Sequence, residues 1–268
     1  MRKSLLLTAV LGALYLPSVS FAEDAAPAAA PAEPASPHTF TYNVGLYSQY
    51  IFRGLTQTNE DPALQGGVDY SHSSGFYLGS WASNISWLSD ADGGPGSGVG
   101  YKSSSLEWDV YGGFASTIGE TGIGYNVGVL QYIYPGDKRA GVKSADTTEV
   151  YGSLSYKWLA AKVSVVASDG AFGFRDADGS WYAELNANYP IGDSGFTING
   201  HVGRQEFEGS GNDIADYTDW KIGATKSWSN GVNVGAYYTN TNARDSAYTL
   251  LGDNIGDDQF TVFVQKTF

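Results

Sequence analysis

The chain contains no cysteine, and its single methionine is the initiator. The first absence excludes a disulfide scaffold, cysteine-based metal ligation and thiol redox chemistry. Positive charge is scarce as well: 15 Lys and Arg stand against 28 Asp and Glu. Removal of Arg2 and Lys3 with a leader leaves 13 against 28, a net charge of −15. A nucleic-acid partner needs basic patches, so that class is excluded. Long apolar runs are missing too. Leu5 to Leu16 is an apolar segment of about a dozen residues, too short for a spanning helix. It follows a basic Arg2-Lys3 pair and precedes Ser20-Phe21-Ala22, the small-residue pattern of a signal-peptide cleavage site. The expectation is cleavage near Ala22. Residues 23 to 38, with the run "EDAAPAAAPAEPASP", then form an Ala/Pro-rich periplasmic tether that builds no core. A folded domain is expected over 39–268.

What the chain has in abundance is glycine (35), tyrosine (19), phenylalanine (12) and tryptophan (7). These residues alternate. In "FTYNVGLYSQYIF", Phe40, Tyr42, Val44, Leu46, Tyr50 and Phe52 share one parity, opposite Thr41, Asn43, Gly45, Tyr47 and Gln49. "LEWDVYGGF" sets Leu106, Trp108, Val110 and Phe114 against Glu107, Asp109 and Tyr111. "WYAELNANY" sets Trp181, Leu185 and Tyr189 against Tyr182, Glu184 and Asn186. Period two with one apolar face is the signature of a strand. Aromatic residues at the ends of the apolar face match two membrane interfaces.

Twelve such runs can be counted, at about 39–52, 62–72, 75–88, 104–116, 121–134, 147–157, 160–168, 180–189, 195–206, 217–228, 231–240 and 258–268. Connections after even-numbered runs are short ("SS", "TIGE", "WL", "PIGDS", "SN"). Those after odd-numbered runs are long. The predicted fold is an all-β, transmembrane, antiparallel up-and-down β-barrel of twelve strands, with ten or fourteen as alternatives. Short turns and both termini then face the periplasm, and long loops face outward. The closing "QFTVFVQKTF" places Phe260, Val262, Val264 and Phe268 on one face, as a terminal signal to a barrel assembly machinery would require; Lys266 departs from that pattern. A secreted β-sandwich, with its polar face in water, is the competing fold.

"YSQYIFRGLTQTNEDPALQGGVDYSHSSGFYLGSWASN", residues 47–84, carries a family resemblance. Tyr50, Phe52-Arg53-Gly54, Gln57, Pro62-Ala63, Gln65-Gly66, Asp69-Tyr70, Gly75-Phe76-Tyr77 and Trp81 resemble the opening block of the TorF family of porin-like proteins. The resemblance implies an outer-membrane channel and supplies no substrate and no catalytic residue.

Parity assigns the candidate pore or lumen residues: Arg53, Gln65, Asp69, Glu107, Asp109, Glu149, Lys157, Lys162, Glu184, His201 and Lys221. Arg53 is expected inside the outer mouth, against water or a carboxylate. Small lumen positions (Gly45, Gly67, Gly79, Gly113, Gly235) either leave room for a pore or serve close packing. No catalytic, metal or cofactor site is expected. His38 lies in the tether and His72 at a turn, and His201 alone lies within a strand. It could serve a barrel hydrolase only beside a serine and an orienting acid or amide, and a polar lumen position is the simpler reading. "DADGGPGSG" (90–98), "DADGS" (176–180) and "GDNIGDD" (252–258) resemble calcium loops. The first lacks the distal glutamate of an EF-hand, and all three fit acidic surface loops that could hold ions bridging lipopolysaccharide. The function so inferred is passive diffusion of small hydrophilic solutes, cations or neutral molecules over anions. A non-conducting structural or adhesive barrel is the alternative. Expected partners are outer-membrane lipid and lipopolysaccharide, the assembly machinery through Phe268, and the solutes themselves.

Overall fold

A computed structural model describes residues 36–91 and 100–268. The leader, most of the tether and most of the 90–98 loop lie outside these residues. Twelve long strands are described: β1 (His38–Tyr47), β2 (Ala63–His72), β3 (Phe76–Asn84), β4 (Leu106–Thr117), β5 (Ile123–Ile133), β6 (Thr147–Tyr156), β7 (Leu159–Val166), β8 (Trp181–Pro190), β9 (Phe196–Glu206), β10 (Tyr217–Ser227), β11 (Val232–Thr241) and β12 (Gln259–Thr267). Each pairs antiparallel with its sequence neighbours, and β1 pairs with β12 to close the barrel. Closure satisfies the strand edges, so the main chain needs no water to bond with.

The alternation read from the sequence sets inside from outside. On β1, Phe40, Tyr42, Val44 and Leu46 are 43–55% exposed on the outer wall. Asn43, Gly45 and Tyr47 between them are buried in the lumen. On β12, Phe260, Val262 and Val264 face out, and Gln259, Thr261, Phe263 and Gln265 are buried within. An apolar band of this extent is untenable in water and stable in hydrocarbon. No helix among the described residues is long and apolar enough to cross a membrane.

One rim carries short turns at 73–75, 118–122, 157–158, 191–195 and 228–231. The other carries long loops at 48–62, 85–105, 134–146, 167–180, 207–216 and 242–258.

One sequence expectation fails in its details. The first strand was expected to reach Phe52, with Tyr50 and Phe52 on the lipid face. It ends at Tyr47, and the chain then folds into the barrel. Tyr50 is buried and Phe52 is half-buried inside. The lumen offers these rings aromatic partners: Trp81 lies 5.4 Å from Tyr50, and Tyr132 lies 5.6 Å from Phe52, centroid to centroid. Rings in such packing gain about 1 kcal/mol beyond their buried area.

For the lumen glycines, of the two readings left open, close packing fits those at which a side chain would clash. A side chain at Gly79 would meet the Tyr111 ring at 2.2 Å, and one at Gly113 would meet Tyr77 Oη at 2.4 Å. One at Gly235 would meet the Phe263 ring at 2.5 Å. Absent side chains on one strand let rings from neighbouring strands lie flat against the wall.

Candidate functional site

The loop after β1 makes a small hairpin inside the long-loop half of the lumen. Ile51 pairs with Thr56 and Phe52 with Leu55, leaving Arg53-Gly54 as a two-residue tip. Both tip residues have positive φ, 48° and 82°. That is the pairing a type I′ turn requires. Glycine adopts it freely, whereas arginine pays about 1 kcal/mol. The compensation lies at the end of the side chain. Arg53 Nη2 is 2.8 Å from Glu149 Oε2 on β6, and Nη1 donates to Gln205 Oε1 on β9 at 2.8 Å. The guanidinium lies 4.3 Å over the Tyr182 ring and 4.8 Å over Phe52. The side chains of the ion pair are 2% and 1% exposed. Burial alone would weaken the charge on Arg53; Glu149 outweighs it and holds the guanidinium protonated beyond its usual range.

The hairpin spans the lumen from wall to wall. Tyr50 Oη donates to Glu107 Oε1 on β4 at 2.6 Å. Tyr132 Oη on β5 donates to Glu149 at 3.3 Å. Gly54 abuts β10 and β11 so closely that a Cβ there would sit 2.6 Å from Asp219 and 2.5 Å from Thr241. Trp81, Tyr101, Tyr132, Tyr134 and Leu88 complete a packed aromatic layer around it.

Beside this layer lies a polar cluster around His201. His201 Nε2 is 2.9 Å from Asp219 Oδ1 and from Tyr182 Oη, and its Nδ1 is 2.8 Å from Asn186 Oδ1. Tyr182 Oη donates to Asp219 Oδ2 at 2.8 Å. Asn186 donates to Glu184 at 2.7 Å, and Lys162 Nζ stands 4.0 Å from the same carboxylate. Lys162 lies 4.7 Å over the Tyr151 ring and Lys221 5.3 Å over Tyr237. Nearer the short turns, Tyr111 Oη donates to Asp69 at 2.6 Å, and Tyr77 bonds Asn126 and Tyr151. Asp69, Tyr77, His201 and Lys221 are half-buried.

Arg53, Gln65, Asp69, Glu107, Asp109, Glu149, Lys162, Glu184, His201 and Lys221 thus all lie within the barrel. Lys157 does not. Strand β6 ends at Tyr156, and Lys157 sits in the following turn with φ +54°, exposed, its Nζ 5.2 Å from the Tyr156 ring. Parity ceases to apply once the ladder stops. Sequence reasoning left out Tyr50, Phe52, Tyr132, Tyr182, Gln205 and Asp219. Asp219 shares parity with Lys221 and Tyr182 with Glu184, so both could have been found; Tyr50 and Phe52 could not, because an aromatic side chain suits lipid and lumen equally. No group of three or more metal-ligating side chains is present among the described residues.

A family model described as "Bacterial protein of unknown function (Gcw_chp)" matches residues 31–268. The chain belongs to the Gcw_chp family. No curated protein matches it in sequence. Among solved structures, this Gcw_chp chain is similar to the KdgM porin, with a TM-score of 0.53 at 9% identity, covering 85% of this chain and 99% of that one. It is also similar to the KdgM porin in complex with disordered oligogalacturonate, with a TM-score of 0.50 at 8% identity over 85% and 98% of the two chains. At such identities the likeness establishes the barrel fold.

Proposed function

We propose that this Gcw_chp barrel is an outer-membrane, porin-like channel for passive diffusion of small hydrophilic solutes, narrowed by its own first long loop. The carrying observation is a charged, hydrogen-bonding interior enclosed by an apolar outer wall. Six acidic side chains (Asp69, Glu107, Asp109, Glu149, Glu184, Asp219) face three basic ones (Arg53, Lys162, Lys221) within it. That balance favours cations and neutral solutes over anions. The TorF-like block and the KdgM fold support a channel, and KdgM with its oligogalacturonate supports hydrophilic cargo. The short-turn rim and both termini face the periplasm, after cleavage near Ala22 and assembly through Phe268. The acidic long loops face outward, toward lipopolysaccharide.

A second reading has one observation in its favour. The Arg53–Glu149 pair and its aromatic surround close the outer half of the lumen, as a structural barrel with no transport role would. A hydrolase centred on His201 would need a nucleophile; the hydrogen-bond partners of His201 are an amide, a phenol and a carboxylate. Single-channel recording of the refolded protein under a potassium chloride gradient separates the two readings. Discrete steps with a cation-selective reversal potential support the channel. A folded, heat-modifiable barrel that never conducts overturns it in favour of the structural reading.

A further inference from the structure

The lumen seats its own cations in a repeated way, each against an aromatic ring with a carboxylate nearby. Arg53 lies between Glu149 and the rings of Tyr182 and Phe52. Lys162 lies between Glu184 and Tyr151. A further seat of the same composition holds no protein cation among the described residues. Glu107 and Asp109 both point inward from β4, two residues apart and therefore about 7 Å along the strand. Both are 0% exposed. Glu107 Oε2 and both carboxylate oxygens of Asp109 have no hydrogen-bond partner. Asp109 lies in register between Trp81 on β3 and Tyr132 on β5, both buried on the same inner face. Cross-strand neighbours of this kind are about 5 Å apart at Cβ. Tyr50, from the inward hairpin, covers Glu107 and stacks edge-on against Trp81.

Glu107 accepts from the Tyr50 phenol, but Asp109 is buried with no donor on either oxygen, which is strongly unfavourable. Two acids beside an indole and a phenol ring suit an ammonium or guanidinium group, which pairs with carboxylate and ring at once. We infer that Glu107, Asp109, Trp81 and Tyr132 form a lumenal subsite for the ammonium or guanidinium group of an amine-bearing solute, entered when the Tyr50 hairpin withdraws. The inference rests on the channel reading for its physiological use, though binding itself does not require conduction. The hairpin then competes with the solute for the same carboxylates, and the solute stabilises the open lumen by its preference for that state.

The test uses the refolded full-length barrel and 1,5-diaminopentane, with uncharged 1,5-pentanediol as the control of equal length. Equilibrium dialysis reads binding, and swelling of proteoliposomes reads entry. Expected results are saturable diamine binding by the unaltered protein, weakened at least tenfold by Asp109→Asn and again by Glu107→Gln/Asp109→Asn. Diamine should enter several-fold faster than diol, and the variants should lose that preference. Glu107→Gln alone serves if an Asp109 variant does not fold. Failure of the unaltered protein to bind diamine more tightly than diol overturns the subsite, as does unchanged binding by the variants. Binding without entry of either compound sinks the channel reading and leaves the subsite standing. Entry of both at equal rates, with no binding, does the reverse. Preference retained by the charge-neutral variants would assign it to the other lumen acids and overturn the proposal.

Discussion

The two halves of the lumen are built on one wall and differ in what fills them. On the short-turn side, Asp69, Tyr77, Asn126 and Tyr151 hydrogen-bond around a partly solvated space. On the long-loop side, Arg53, Glu149, Tyr132 and Tyr182 are withdrawn from water. The strands alternate identically in both, so the wall does not make the difference. The hairpin at residues 51–56 does. A barrel of intermediate strand number has space for a channel or a packed interior, and one loop decides between them at one end.

Arg53→Ala is the substitution that breaks this contrast hardest. It leaves Glu149 buried without its ion partner, a loss of about 3–5 kcal/mol. Denaturant titration of the folded barrel should show that loss, and single-channel current should rise as the outer half hydrates. Arg53→Ala/Glu149→Ala should recover much of the stability while keeping the larger current. If the single substitution leaves both quantities unchanged, the hairpin is not the constriction.

Gly203→Ala sharpens the contrast at the wall. Its Cβ would fall 1.9 Å from Tyr182 Oη, so the phenol must move away from Asp219 and His201. Overpacking of this kind costs about 1–3 kcal/mol. Melting temperature should drop, and the effect should shrink in the Tyr182→Phe background, which lacks the crowded oxygen. Equal losses in both backgrounds would remove Tyr182 as the cause.

Beside the ion pair, in the His201 cluster, Asn186→Ala removes the partner of His201 Nδ1 and a donor to Glu184. Neither is an ion pair, Glu184 keeps Lys162 nearby, and the expected loss is about 1 kcal/mol. A loss as large as that of Arg53→Ala would mean that the cluster matters as much as the ion pair. Smallest of all is Asp169→Asn in the long loops. The Lys143 ammonium holds this carboxyl below the usual range by direct hydrogen bonding. The pair is open to water and salt, so the melting curve should not move.

The wall was legible in the sequence because hydrocarbon enforces period two on every strand. Phe40, Tyr42, Val44 and Leu46 could be assigned outward from their spacing alone. The plug was not legible for the same reason. Tyr50 and Phe52 continue that alternation unbroken, and nothing in their apolarity says which side of the wall receives it. The nearest sign was Arg53-Gly54, a dipeptide able to form a tight turn with a charge that lipid would refuse. The parity rule failed again at Lys157, where counting ran one residue past the last hydrogen-bonded pair. Glu107 and Asp109 were readable as inward acids. The lack of partners at Asp109 was not, because it depends on rings that three different segments bring to one place.

The seam between the first and last strands sets an order of events. Its ladder has five residue pairs, Asn43–Tyr47 against Phe263–Thr267, extended by mutual bonds between Tyr42 and Phe268. The β1–β2 ladder has ten. The hairpin leaves β1 only a few residues after that seam. Closing the wall therefore waits on the meeting of the first and last strands, and the hairpin hangs beside the shortest ladder of the barrel. The plug is tethered at the wall's shortest clasp.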